Sequence, residues 1–274
     1  MVDIYDLPTD PAFARKVEQT EVEAWLDLDP SLDGSRQLEF QDIDGATLLL
    51  DRSRDWPHSR ILNLGATRPA TPEALASVLE ATRKAGIETL MTEVSPIARP
   101  GTIARILTQQ GFQHTERSVV VARKTRGMPE PASYFRIRLA TPEDREDMFQ
   151  IMQAVMPGAP DWCRLLSGQI GRPRWQYYVA IEDGALSGFT GVHLYNEMAW
   201  LAPIWTKAEY RNRGTQAALI AFAVRDAESR GVEWITTTYP ATLPGRTRNF
   251  ERLGFSIVYL RNTFVWNDVA SQGG

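Results

Sequence analysis

From residue 217 onward, Ala217, Leu219, Ile220, Phe222 and Val224 recur at helical spacing, and the run stops at Gly231, a residue suited to the turn after a helix. Just upstream, residues 200–206 are dense in bulky, β-forming side chains. The pattern therefore predicts strand, turn, helix. The turn reads Tyr210-Arg211-Asn212-Arg213-Gly214-Thr215-Gln216-Ala217, with Thr215 the expected N-cap. Earlier, Thr141-Pro142-Glu143-Asp144 reads as N-cap, first-position proline and acidic first turn of a helix running to about Val155, with room for a short second helix. Residues 175–182 and 186–195 read as strands joined through Asp183-Gly184, a strong hairpin signal, and a third strand covers 198–206. A strand over 233–239, a helix ending near Gly254 and a last strand through Val265 complete this half.

The first half repeats the pattern faintly. Gly86-Ile87-Glu88-Thr89-Leu90-Met91-Thr92 resembles Gly231-Val232-Glu233-Trp234-Ile235-Thr236-Thr237, and Pro100-Gly101 precedes Gly111-Phe112 much as Pro244-Gly245 precedes Gly254-Phe255. Two copies of one α/β unit explain this order. Residues 124–133 combine charge, glycine and two prolines between β-rich runs at 118–122 and 134–139, a linker signature. The expected domains are 1–126, a linker at 127–133, and 134–274. Each should be a mixed, mostly antiparallel twisted sheet flanked by helices, an α/β (α+β) class. The copies differ at the helix start. In the first, Thr71-Pro72-Glu73 supplies its own cap and an acidic first turn, so that helix does not await an anion.

Composition changes little. A length of 274 residues suits two domains, and a net charge of −4 with an acidic excess in the first half argues against nucleic acid as the partner. Any anionic ligand should prefer the second half. One cysteine, Cys163, excludes a disulfide framework or a cysteine-rich metal site and reads as buried. With no long apolar run and no basic leader, the expectation is a cytoplasmic protein without membrane contact.

The turn at 210–217 carries the chemistry. The first amides of a helix lack intrahelical acceptors and meet an anion with the favourable end of the macrodipole, while Arg211 and Arg213 add charge. The spacing is neither a Walker loop nor a dinucleotide fingerprint. Arg211-Asn212-Arg213-Gly214-Thr215-Gln216 resembles the Gln/Arg-x-x-Gly-x-Gly/Ala signature of the GNAT superfamily of acyl-CoA-dependent N-acyltransferases, and Arg248-Asn249-Phe250-Glu251-Arg252-Leu253-Gly254-Phe255 resembles its C-terminal helix-to-Gly-Phe segment. Element order matches over about 134–266. The chain resembles a tandem GNAT protein with a degenerate first domain and a working second one.

That resemblance implies acetyl-CoA as co-substrate, no metal, and direct transfer to the primary amine of a small molecule more than of a protein; it leaves a homodimer open. It assigns the pyrophosphate to Arg211, Asn212, Arg213, Gly214, Thr215 and Gln216. Pantetheine falls to Ile204, Trp205 and Thr206 on a strand that splays from the one beginning near Glu233, and the thiol end to Asn249 and Phe250. Two positions depart from the family pattern: Gln216 stands where Gly or Ala is usual, and Phe250 where many members carry a proton-donating tyrosine. The second departure supports the alternative of a non-catalytic acyl-CoA-binding or sensing module. A nucleotide-phosphate enzyme is a weaker third class, lacking a Walker lysine. An N-acyltransferase needs an acid and a base, for which Tyr239, His193 and Glu197 are the candidates, with Tyr178 behind them. Most tryptophans should be core. Trp200 and Trp205, five apart, should face opposite sides of a regular strand, so that one lines the acceptor cleft. Residues 158–171 read as a variable specificity loop, and Arg52, Arg54, Asp55, Trp56 and His58 as a polar loop.

Overall fold

The computed structural model describes residues 10–29, 38–52, 59–131 and 136–268. The first half runs α1 (Pro11–Leu26), β1 (Leu38–Ile43), β2 (Ala46–Asp51), β3 (Arg60–Leu62), α2 (Pro72–Lys84), β4 (Thr89–Val94), α3 (Ile103–Gln109) and β5 (Gln113–Lys124). The second follows with β6 (Arg136–Leu139), α4 (Arg145–Val155), α5 (Pro160–Gly168), β7 (Trp175–Glu182), β8 (Ala185–Tyr195), β9 (Met198–Thr206), α6 (Thr215–Ser229), β10 (Trp234–Pro240), α7 (Pro244–Arg252) and β11 (Ser256–Asn267).

Among the described residues the strands form one eleven-stranded sheet in the order β1-β2-β3-β4-β11-β5-β10-β9-β8-β7-β6. Most pairs are antiparallel; β3–β4 and β9–β10 are parallel. Outward from the β5–β11 seam, β4-β3-β2-β1 on one side corresponds to β10-β9-β8-β7 on the other, with β6 added at that edge, which fits the weak sequence repeat. At that seam the halves interleave. β5 lies between β10 and β11, and β11 lies between β4 and β5. The sequence of β5 explains its central place: Val119-Val120-Val121-Ala122 is apolar on both faces, and all four residues are buried. The strand is longer than the apolar run implies. Its polar start, residues 113–117, extends it as a partner of β11.

Helices cover both faces. On one, α6 lays Leu219, Ile220, Val224 and Ala227 on Tyr178, Ala180, Val192, Leu201 and Ile235, and the many alanines of α6 allow close approach. On the other, Met148 and Met152 of α4 and Leu165 of α5 pack with Val22 and Trp25 of α1 over Trp175, Tyr177, Val179 and Phe189. Helix α5 occupies most of the segment read as a loop at 158–171; Pro160 at its start and an apolar stripe of Trp162, Cys163, Leu165 and Leu166 account for it. Of the polar cluster at 52–58, residues 53–58 lie outside the described residues, and Arg52 Nη2 donates to Glu39 Oε2 at 3.0 Å. In the linker segment, Thr125 Oγ1 is tied to the Val232 carbonyl at 2.6 Å, and residues 132 and 133 lie outside the described residues.

Helix α1 belongs to the first half by sequence but packs over β8 and β9 of the second. Buried charge anchors it. Glu18 and Glu21, one turn apart on the same face, meet Arg261 of β11: Nε lies 2.9 Å from Glu18 Oε1 and Nη1 lies 2.5 Å from Glu21 Oε2. Tyr259 Oη donates to Glu18 Oε1 at 2.6 Å. Burial pushes the Glu18 carboxyl above its ordinary value, and the guanidinium of Arg261 opposes that shift. Removing this cation leaves Glu18 and Glu21 buried without the guanidinium that bonds them both. Arg261→Ala should therefore cost roughly 3–5 kcal/mol in urea denaturation, the usual penalty for breaking a buried pair, whereas a loss under about 1 kcal/mol would show that the network is already solvated.

Candidate functional site

Gly214 precedes α6 with φ 94° and ψ −1°, a left-handed conformation that glycine adopts without strain, and no side chain caps the helix. The expected cap, Thr215, is instead the first helical residue. Its buried hydroxyl donates to Glu182 Oε1 at 2.7 Å on β7, so it is turned away from its own helix start. The matching helix α2 behaves otherwise. Thr71 Oγ1 accepts from the Ala74 amide at 3.1 Å, and Glu73 occupies the first turn. One helix start is satisfied by its own sequence and the other is open to an anion.

Strand β9 leads into that turn. It pairs with β10 only from Met198 to Trp200, and beyond one bond of 2.7 Å from Thr237 Oγ1 to the Leu201 carbonyl the two strands separate. On its other side β9 carries a bulge: between Thr190↔Ile204 and Val192↔Leu201, β8 advances two residues while β9 advances three. Gly191 lets the bulge close, since a Cβ there would fall 2.7 Å from the Ala202 carbonyl oxygen and 2.9 Å from Tyr177. The extra residue changes which way side chains face. Trp200 and Trp205, expected on opposite sides, line one and the same cavity, because a bulge between them restores an even separation.

The turn, the free edge of β9 and α7 enclose a cleft of about 770 Å³. Ile204, Trp205, Thr206, Arg211, Asn212, Gly214, Thr215, Gln216 and Asn249 all line it. Arg213 is not in the lining, and its guanidinium sits 5.3 Å from the centroid of the Tyr210 ring. Gln216 lines the cleft, and its Oε1 accepts from Asn249 Nδ2 at 2.9 Å, which joins α6 to α7. Sequence reading missed Arg246 and Arg252, which α7 turns into the cleft. Both belong to the stretch Arg246-Thr247-Arg248-Asn249-Phe250-Glu251-Arg252, whose density of arginine beside a suspected phosphate seat was a usable signal. Among the described lining residues three are arginines and none is a carboxylate. Burial draws the Arg246 guanidinium below its ordinary value, a cost that a bound anion would relieve. Thr206 Oγ1 is buried without a hydrogen-bond partner.

The other expected residues lie elsewhere. Phe250 is buried in the core behind α7, stacked on Tyr239 at 5.3 Å and 10° and edge-on to Phe255 at 5.0 Å. Tyr239 is buried too, and its hydroxyl donates to Thr247 Oγ1 at 3.2 Å; burial raises its pKa. Tyr178 Oη donates to Asp226 Oδ2 at 2.5 Å under α6. Glu197 sits on an exposed turn, 2.6 Å from Lys16 Nζ of α1, at a separate surface hollow. His193 is fully buried beside Trp175, ring centroids 5.0 Å apart. Its Nε2 lies 3.3 Å from Asp27 Oδ2, yet neither atom has a hydrogen bond of acceptable geometry. Burial presses the His193 pKa down to about 4, and the nearby Asp27 carboxylate opposes the shift. Among the described residues no group of three or more His, Cys, Asp or Glu is placed to hold a metal ion.

Residues 144–255 match the model of the acetyltransferase (GNAT) family. Solved structures share the fold over most of the chain. A GCN5-related N-acetyltransferase from Kribbella flavida superposes with a TM-score of 0.69 at 18% identity, covering 94% of this chain and 98% of that one. A tandem GNAT protein from the clavulanic acid biosynthesis pathway gives 0.63 at 16% identity, with 93% and 94% covered. A GCN5-related N-acetyltransferase from Sphaerobacter thermophilus gives 0.62 at 15%, with 91% and 85% covered. Among curated proteins none matches. The likeness at these identities is one of fold, and the family match is to the half that carries the open helix start. Residues 144–255 are thus a domain of the acetyltransferase (GNAT) family, and the chain as a whole shares its fold with a tandem GNAT protein.

Proposed function

We propose that the protein is an acyl-CoA-dependent N-acyltransferase that moves an acetyl group from acetyl-CoA to the primary amine of a small molecule. The observation that carries this reading is the uncapped start of α6, which opens on a cleft with three arginines and no carboxylate beside an unpaired strand edge. The residues fit the co-substrate. The amides after Gly214 and the guanidiniums of Arg211, Arg246 and Arg252 suit a pyrophosphate, and the backbone groups of β9 beyond Leu201 suit the amides of pantetheine. When bound, acetyl-CoA supplies a thioester whose carbonyl carbon accepts the amine nitrogen: a C–N bond forms, the C–S bond breaks, and the sulfur leaves with the electron pair while the nitrogen sheds a proton. The free amides of β9 can polarise that carbonyl.

The buried, ring-stacked Phe250 has no proton to give, which favours a second reading in which the domain binds acyl-CoA without turnover. Thiol release separates the two. With acetyl-CoA and a panel of primary amines, release at a rate above that without enzyme is expected; saturable binding with no release from any amine selects the second reading. Absence of acetyl-CoA binding in calorimetry would remove both.

Two further outcomes are expected. Arg246→Ala should weaken acetyl-CoA binding by about ten- to a hundredfold, the worth of one charge-assisted contact, whereas unchanged calorimetry would move the phosphate site away from α7. His193 gives a pH signature in stability. The unfolded chain's histidine takes a proton near pH 6.5, while the folded residue does so only at about 4. Its stabilising contribution is thus complete above pH 6.5 and declines as pH falls toward 4. The free-energy difference between wild type and His193→Gln, from urea melts, should shrink across that window, and a difference independent of pH would place water against the imidazole.

A further inference from the structure

A second cavity of about 130 Å³ adjoins the cleft, and Trp205 lines both. Its walls are mainly indole: Trp25, Trp162, Trp175, Trp200 and Trp205. Trp25 and Trp162 stack at 5.4 Å and 21°, and Trp175 meets Trp200 edge-on at 6.5 Å and 71°. Sheet register accounts for the second pair. Trp175 lies opposite His193, and His193 lies opposite Trp200, in one row across three strands. The bulge in β9 then brings Trp205 to the same side.

Two features separate this cavity from ordinary core. It is open space among large rings where a close-packed interior leaves almost none. Three of the indoles that line it, Trp175, Trp200 and Trp205, also carry a buried Nε1 without a hydrogen-bond partner. Each such atom carries a desolvation cost that a core has no reason to collect. Among the described residues no charged side chain lines the space. A polyamine's second ammonium would therefore enter at a loss, whereas a flat ring gains offset and edge contacts with the indoles. The size suits one ring, since an apolar cavity of roughly 150 Å³ holds benzene.

We propose that this cavity is the acceptor subsite and that the acceptor is an arylalkylamine, a primary amine on a short chain from a single aromatic ring. The inference rests on the acyltransferase reading above. The ring lies among the indoles, and the short chain carries the nitrogen past Trp205 to the cleft. The first half of the chain completes the subsite. Trp25 and Leu28 come from α1 and the turn after it, and that turn is clipped to the second half: Arg172 reaches Asp29 at 2.8 Å and Asp27 at 3.2 Å, and Gln169 exchanges two 3.2 Å bonds with the backbone of Asp29.

Phenethylamine and ethylamine differ by the ring alone and test the assignment on the full chain. With acetyl-CoA, phenethylamine should show a KM at least about tenfold lower, the value of burying one ring. Titrated without acetyl-CoA, it should change tryptophan fluorescence saturably, and ethylamine should not. Trp162→Ala, which opens the cavity, and Leu166→Phe, which fills it, should each erase the ring's advantage while acetyl-CoA binding by calorimetry stays unchanged. Equal KM values for the two amines, or an advantage that survives both variants, would overturn the subsite. Should neither amine be acetylated, the acyltransferase reading fails for this class of acceptor, and fluorescence still decides the subsite: a saturable change with phenethylamine upholds it, and no change refutes it.

Discussion

The exchange of β5 and β11 is the constraint on which the rest of the molecule depends. Each half gives its last strand to the other, so neither half can complete its sheet alone. The β5–β11 pair at the seam is antiparallel and long, from Ser256↔Ala122 to Val265↔Gln113. Because β10 is held on one side by β5, its other side is free to leave β9 after Trp200 without unravelling the sheet. The splay that opens the cleft is thus supported from the first half of the chain. The same arrangement brings Arg261 of β11 under α1. Three buried charges there are a poor source of net stability, since their desolvation offsets most of their attraction. What they do fix is position. An α1 held by two carboxylates over one guanidinium cannot slide along the sheet without leaving a charge unpaired.

The two halves share an order of elements and differ in what their helix starts require. At α2, threonine, proline and glutamate occupy the places an anion would want, and the sequence states this outright. At α6 nothing does, and a left-handed glycine lets the backbone turn its amides outward. Glu182 takes the Thr215 hydroxyl, so the first helical side chain is committed to β7, and the glycine at the cap position has none to offer. The difference between the two helix starts therefore lies in a few atoms at one helix end, while the sheets around both are alike.

Much of the second half was legible because its signals are local. The Asp183-Gly184 hairpin and the glycine at 231 after α6 depend on residues close in sequence and lie where the pattern put them, while after Thr141 the proline-led start is a 3-10 turn, Pro142–Asp144, and the α-helix begins only at Arg145. The turn at 210–217 was legible for the same reason. What failed depends on distant partners. No pattern in Val119-Val120-Val121-Ala122 says whether its neighbours will be β4 or β10 and β11, and strand exchange is invisible to periodicity. The bulge was equally hidden: alternation sends Trp200 and Trp205 apart, and only the pairing of β9 with Gly191 and its neighbours on β8 reveals the extra residue. Arg246 and Arg252 were passed over because α7 was read for its match at Asn249 and Phe250, not for the face it turns to α6. Phe250 stands buried in a stack with Tyr239.

The bulge ties the two cavities together. A regular β9 would keep its hydrogen bonds to β8 in step and send Trp205 to the α6 face, into a core of Ala199, Leu201 and Ile204 already filled by Leu219 and Ile220. One added residue at Ala202 and Pro203 places Trp205 with Trp200 instead, on the side where α1 and α5 bring Trp25 and Trp162. Proline at that point is tolerated because it has no amide to offer the ladder and the bulge asks for none. The same short stretch then runs on, unpaired by β10, into the turn before α6. The open helix start, free strand edge and indole cavity are consequently set by one strand of nine residues, so a change in its register would move all three at once. Gly191 guards that register: any side chain there would collide with the Ala202 carbonyl and with Tyr177, and β9 would have to give up the bulge to make room.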